Sequence, residues 1–231
     1  NPTRITRNST IDLSPAWSSD GQWLAYTSYG RGGPDLHITH LGENRTTVFS
    51  RDGVNISPAW VPGKFMLAAT LSFEGDQEIY LLSGSGNIIR RLTRNWGIDV
   101  SPAFSPDGRR IVASSGGYGY GALGVWEAAT GACNGTFGEQ REPVVACGFT
   151  PDGERIYGIS MDGTLRLWRS EDRTLVITQT EKKSGARGSG VGKRPAFTRE
   201  GKFYWDGRTG AQNISKWLYA IVIAITILPF S

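Results

Sequence analysis

Ser101-Pro102-Ala103-Phe104-Ser105-Pro106-Asp107-Gly108 is a small residue and an aromatic followed by a tight turn that ends in glycine. The phrase has copies on both sides. Upstream stand Ser14-Pro15-Ala16-Trp17 with Asp20-Gly21, and Ser57-Pro58-Ala59-Trp60 with Gly63. Downstream stand Phe149-Thr150-Pro151-Asp152-Gly153, and Pro195-Ala196-Phe197 with Glu200-Gly201. The aromatics Trp17, Trp60, Phe104, Phe149 and Phe197 follow one another at steps of 43, 44, 45 and 48 residues. A fixed period of this length marks a repeat architecture, in which one supersecondary unit is stacked on the next. The structural repeat positions are therefore Trp17, Gly21, Trp60, Gly63, Phe104, Gly108, Phe149, Gly153, Phe197 and Gly201.

Within one period the chain changes direction four times. In the third unit Ile88–Thr93 reads as a strand, and Val100–Phe104 as a second. The Ser105–Gly108 turn follows, with proline presetting φ and glycine free to take a positive one. Arg109–Ser115 and Ala122–Ala128 supply two more strands. Four short strands per unit with no helical period describe a propeller blade. Outer strands are expected at Thr3–Thr6, Arg45–Ser50, Ile88–Thr93, Asn134–Phe137 and Thr174–Thr180. The expected fold is all-β: one propeller domain over residues 1–231, of about five four-stranded blades. Pairing of the strand near Thr3 with the last unit closes the ring from both termini and removes two sheet edges.

Bulk properties agree with a packed chain. The 231 residues are 39% hydrophobic and 11% aromatic, and 31 glycines fall between apolar runs. That composition argues against disorder. A net charge of +4 and a pI near 9.2 are too mild to indicate nucleic acid. Cys133 and Cys147 read as small core residues, and His37 and His40 fall on opposite faces of a strand, so no metal site is expected. No signal peptide is visible, and a start at Asn1 reads as a processed product, a fragment or an engineered chain.

Two stretches carry family resemblances. Pro2–Thr6, Ser14–Gly21, Leu24–Ser28, Gln77–Tyr80, Arg90–Thr93 and Ser101–Gly108 resemble the propeller of the TolB family, over about residues 1–115. The resemblance implies a periplasmic, protein-binding propeller whose family partner is the lipoprotein Pal. Half of that propeller is missing here, so Pal binding is not carried over. Val125–Gly131 and Asp162–Trp168 are similar instead to WD40 repeats, within residues 116–231. Glu127 and Arg169 stand where that family has aspartate after tryptophan, and Gly138-Glu139 replaces its Gly-His pair. The buried WD40 hydrogen-bond network therefore cannot form, and apolar packing must serve. The change falls in Ser114–Gly121, inside one blade, and suggests an engineered chimera with no localisation of its own.

No catalytic constellation emerges. Asp20, Asp107 and Asp152 occupy turn positions, where aspartate bonds locally. Gly185–Lys193 imitates a phosphate loop, but Arg187 and Arg194 stand where glycine and Ser or Thr belong. Lys182, Lys183, Arg187, Lys193 and Arg194 read as a solvated basic connection. The sequons at Asn8, Asn44, Asn55, Asn134 and Asn213 read as incidental. The apolar run Trp217–Leu228 is short for a membrane helix and reads as a buried closing strand, or as a tail that oligomerises or touches a membrane. The expected function is non-enzymatic, without cofactor, metal, nucleic acid or membrane. Three readings stand: a recombined propeller with no evolved activity, a natural protein-interaction scaffold, and a carbohydrate-binding five-bladed ring.

Overall fold

The structure is a computed structural model that describes residues 4–6, 9–94, 98–117, 120–180, 196–197 and 203–204. Among these residues the chain forms four antiparallel four-stranded sheets, each with its strands in sequence order. Blade one contains β1 (Asp12–Trp17), β2 (Trp23–Ser28), β3 (Asp35–His40) and β4 (Arg45–Phe49). Blade two contains β5 (Asn55–Trp60), β6 (Met66–Leu71), β7 (Glu78–Ser83) and β8 (Ile88–Arg91). Blade three contains β9 (Ile98–Phe104), β10 (Arg110–Gly117), β11 (Tyr120–Glu127) and β12 (Cys133–Gln140). Blade four contains β13 (Val144–Phe149), β14 (Arg155–Ser160), β15 (Thr164–Arg169) and β16 (Leu175–Thr180). A two-stranded ladder follows, β17 (Ala196–Phe197) with β18 (Phe203–Tyr204).

The all-β propeller expectation holds, and its blade number is corrected from five to four. Among the described residues the fifth copy of the repeat is represented by the β17–β18 ladder, with Phe197 opposite Phe203. Gly201, the basic connection and Trp217–Leu228 lie outside the described residues. The expected closure, between the strand near Thr3 and the last unit, falls mostly outside the described residues; of that strand residues 4–6 are described, and they belong to none of the described sheets. Cys133 is exposed and only Cys147 is buried, because Cys133 starts an outer strand.

Blades stack through their innermost strands. β5 packs on β1, β2 and β3, β9 packs on β5, β6 and β7, and β13 packs on β9, β10 and β11. Middle strands are consequently buried on both faces, which is why Leu67-Ala68-Ala69-Thr70-Leu71 is a small, mainly apolar run without an exposed face. Leu67, Ala69, Leu71, Tyr80 and Leu82 join Ala25, Leu36 and Ile38 of blade one. Ala68, Ile79 and Leu81 turn the other way, toward Ile111, Ala113 and Trp126 of blade three. Val112, Leu123 and Val125 meet Val144, Cys147, Ile156 and Trp168 in the third interface. Leu67, Leu71, Ile79 and Leu82 are fully buried, and each large side chain contributes about 1.5–3 kcal/mol.

The Ser-Pro pair in the repeated phrase makes a bulge. Ser14, Ser57 and Ser101 take positive φ values of 51, 55 and 56°. The ladder register slips at each of them, between Leu13 and Ala16, between Ile56 and Ala59, and opposite Val112–Ser114. A bulge bends its strand and increases the twist. It also frees an amide for the neighbouring blade: Ser57 N–H donates to Thr27 Oγ1 at 3.1 Å. Blade four lacks Ser-Pro, and its slip, between Val144 and Ala146, involves no positive φ.

Trp126 lies flat over Gly124, two residues back on the same face. A Cβ at Gly124 would meet the indole at 2.0 Å. Trp126 is only 3% exposed and has no room to withdraw. Gly124→Ala is expected to destabilise the chain by about 1–3 kcal/mol, as overpacking does. Urea denaturation measures it, and an unchanged midpoint contradicts this account of the interface.

Candidate functional site: the interblade turn face

The β1–β2 hairpin turn and its three counterparts lie along one side of the stack. In three blades the turn has the same construction. Ser105 N–H donates to Arg110 O at 2.9 Å and Gly108 N–H to Ser105 O at 2.8 Å. The Ser105 hydroxyl donates to Asp107, and Asp107 Oδ1 also accepts from Arg109 N–H at 3.0 Å. Ser18 with Asp20, and Thr150 with Asp152, repeat this network. Gly21, Gly108 and Gly153 hold φ of 68, 68 and 72°, which only glycine adopts without strain.

Blade two is different. Val61 has no hydroxyl, and Lys64 N–H closes the turn onto Val61 O at 3.1 Å. Gly63, with φ 68°, then stands one place earlier than the other glycines, beside Pro62. Pro-Gly at the two central positions is a type II turn. The expected equivalence of Gly63 with Gly21 and Gly108 is therefore offset by one residue.

The turns touch one another from blade to blade. Gly63 N–H donates to Ser19 Oγ at 3.0 Å. Added Cβ atoms at Gly108 and Gly153 would lie 3.5 Å from Pro62 and 3.4 Å from Pro106. The aromatic positions link neighbours as well. Trp60 Nε1–H donates to Ala16 O at 3.1 Å, 44 residues away. Phe104 packs against the interface between blades two and three, and Phe149 against that between blades three and four. The structure thus uses Trp60, Phe104 and Phe149 with Gly63, Gly108 and Gly153 to align blades, and does not gather them around one point, while Trp17 ends β1 opposite Leu24. Phe197 lies in β17.

Asp20 and Asp107 are held below the usual carboxylate range, chiefly by the hydroxyls of Ser18 and Ser105. Burial works against the lowering at Asp152, where Thr150 and the Glu154 amide outweigh it. These acids are engaged in turn formation.

Two phrases that carried the TolB resemblance come together in blade two. Glu78, whose side chain is 2% exposed, pairs with Arg91 Nη2 at 2.7 Å. It also accepts from the Thr93 hydroxyl, while Thr93 Oγ1 accepts from Ile79 N–H at 2.8 Å. Arg91 reaches Glu74 at 3.3 Å, and Tyr80 O–H donates to Glu74 at 2.7 Å. Burial, with the neighbouring Glu74 carboxylate, pushes the Tyr80 hydroxyl up to about 12. Sequence reasoning quoted these residues without pairing them. It also passed over Asp12 and Asp99 and read Asn55 only as a sequon, though each stands two residues before a bulge serine. Asn55 Nδ2 donates to Pro34 O of blade one at 3.1 Å and to Arg51 O at 2.8 Å. Writing the repeat as Asp/Asn-x-Ser-Pro-Ala-aromatic would have exposed that position.

Such a stack of antiparallel four-stranded blades, linked through their inner strands and turns, defines an all-β propeller. The model of the TolB beta propeller domain family matches residues 1–185, and the chain belongs to that family. The Tol-Pal system protein TolB of Desulfosudis oleivorans is 80% identical over 97 residues, 42% of this chain and 22% of that protein. The TolB homolog of Chlorobium luteolum is 40% identical over 129 residues, 56% of this chain and 29% of that protein. The crystal structure of TolB from Acinetobacter baumannii superposes with a TM-score of 0.62 at 21% identity, over 85% of this chain and 48% of that one. The chain thus spans less than a third of the length of these two relatives. The family match runs through Ser114–Gly121 and both WD40-like phrases, so it gives no support to a second family or a join. In the fold, β10 and β11 pair without a slip from Arg110 opposite Glu127 to Gly117 opposite Tyr120.

Two outcomes are expected. Arg91→Met strands a buried carboxylate at Glu78 and costs about 3–5 kcal/mol in urea denaturation, more than Glu78→Gln combined with Arg91→Met. The turn aspartates ionise more readily folded than unfolded. Their contribution is therefore complete above the unfolded value near 4 and is lost as pH falls through the folded one. Asp107→Asn flattens that acid-range dependence, read as Tm against pH, and an unaltered slope refutes the assignment.

Proposed function

We propose that the chain is a natural TolB-type propeller segment that serves as a protein-interaction scaffold, without catalytic activity, in a Tol–Pal-like envelope system. The observation that carries this reading is the single family match over residues 1–185, spanning all four blades and both stretches that had looked unlike each other. The chemistry agrees. Asp20, Asp107 and Asp152, the acids that recur in register, are tied into their own turns. Relatives bearing the name of the Tol-Pal system supply the partner class, a Pal-type lipoprotein. Carbohydrate binding and an artificial origin have no comparable observation in their favour.

Biolayer interferometry with the immobilised chain and purified, delipidated Pal tests this. Saturable binding that an unrelated propeller does not reproduce is the expected result. No binding to Pal, or equal binding by the unrelated propeller, overturns the proposal.

A further inference from the structure

The three blade interfaces among the described residues offer the same groove on the turn face, and the chain fills two of them, each in its own way. Between blades one and two the chain fills it with its own rings. Phe65 lies 4.8 Å from Trp23 and 5.8 Å from Trp60, stacked on the latter at 29°. Gly84 makes the space, since a Cβ there would meet Phe65 at 2.4 Å. Between blades three and four Arg110 takes the place that register gives to Trp23. Its guanidinium sits 5.3 Å over Phe149, and Nη1 donates to Ser170 Oγ at 2.7 Å.

The middle groove has neither filling. Met66 stands where blade one has Trp23, Phe104 where blade two has Trp60, and Arg109 where it has Phe65. A cavity of about 440 Å³ remains. Val61, Met66, Leu81 and Phe104 form its apolar walls. Lys64 and Arg109 stand at its rim, and neither makes an ion pair among the described residues. The two rim acids are already engaged: Asp107 accepts from Ser105 and Arg109 N–H, and Glu127 accepts from Asn134 Nδ2 at 2.8 Å. Arg109 also faces the Asp107 charge, which leaves the Lys64 ammonium as the rim cation with no opposing group in an ion pair among the described residues.

We infer that this cavity between blades two and three receives an aromatic side chain from a protein partner, flanked in the partner by an acidic residue that meets Lys64. The ring occupies the place that Phe65 holds one blade earlier, between Met66 and Phe104. Pockets of this volume, mostly apolar with few polar groups, are the usual form of a recognition site. A ring in an apolar pocket gives affinity, and the charged rim gives selectivity. The inference rests on the interaction-scaffold reading, and it specifies which side chain the scaffold recognises.

The probe is the blocked dipeptide N-acetyl-5-fluorotryptophanyl-glutamate amide, followed by ¹⁹F NMR titration. Saturable broadening of the fluorine line is expected with the wild-type chain. Met66→Trp installs the ring that fills the first groove and should weaken binding at least about tenfold. Arg109→Phe, which models the Phe65 filling, should do the same and serves if Met66→Trp does not fold. Replacing glutamate by lysine in the probe should weaken binding to the wild-type chain. No saturable binding, or equal binding by a folded filled variant, overturns the proposal, and indifference to the probe's charge overturns its acidic part. The titration needs no Pal, so its failure is separate from failure of the Pal measurement.

Discussion

Burial of each blade on two faces is the constraint from which the rest follows. A β-sheet with both faces apolar cannot stand in water, so blade two exists because blades one and three cover it. Ala25, Leu36 and Ile38 cover one side, and Ile111, Ala113 and Trp126 the other. The energy resides in these interfaces more than within any one sheet, as in repeat proteins generally. The bulge serines and the turn residues then have a clear task. They bend and aim the inner strand so that its aromatic lands on the preceding blade, as Trp60 does on the carbonyl of Ala16.

The family match assigns that task to one lineage. The change in wording after Ser114–Gly121 falls on the third strands, β11 and β15, and the turns beside them, while the alignment of inner strands persists. β10 continues into β11 with unbroken pairing across the supposed join. Trp126 and Trp168 suggest WD40 repeats when their neighbours are read alone. In place, each lies against a glycine, Gly124 and Gly158, and fills an interface by contact alone.

Much of the fold was legible because it rests on local chemistry. The period fixed the inner hairpins, and Pro-Asp-Gly marked two of the turns correctly. Gly63 misled because proline and glycine can make a turn with the glycine one place earlier, and sequence spacing does not separate the two. Blade number was less legible: the fifth aromatic phrase recurs in the sequence, and of that copy the described residues hold the β17–β18 ladder. The Glu78–Arg91 pair was hidden for another reason. Its partners are 13 residues apart on adjacent strands, and only the register of β7 with β8 brings them together. The cavity was least legible, because it arises from what Met66 and Arg109 fail to fill.

The turns also bear on how the chain ages. Asp-Gly is the dipeptide at which a polypeptide most readily cyclises to a succinimide, when the glycine nitrogen attacks the carboxyl carbon of the aspartate side chain and water leaves. Asp20-Gly21, Asp107-Gly108 and Asp152-Gly153 repeat that hazard in three blades. In each, the glycine N–H is bonded to the carbonyl three residues back, at 2.8–3.0 Å. The carboxylate is held elsewhere and kept ionised, its less reactive form. The network that shapes the turn thus also protects its weakest covalent link, and a blade that loosens begins to lose that protection.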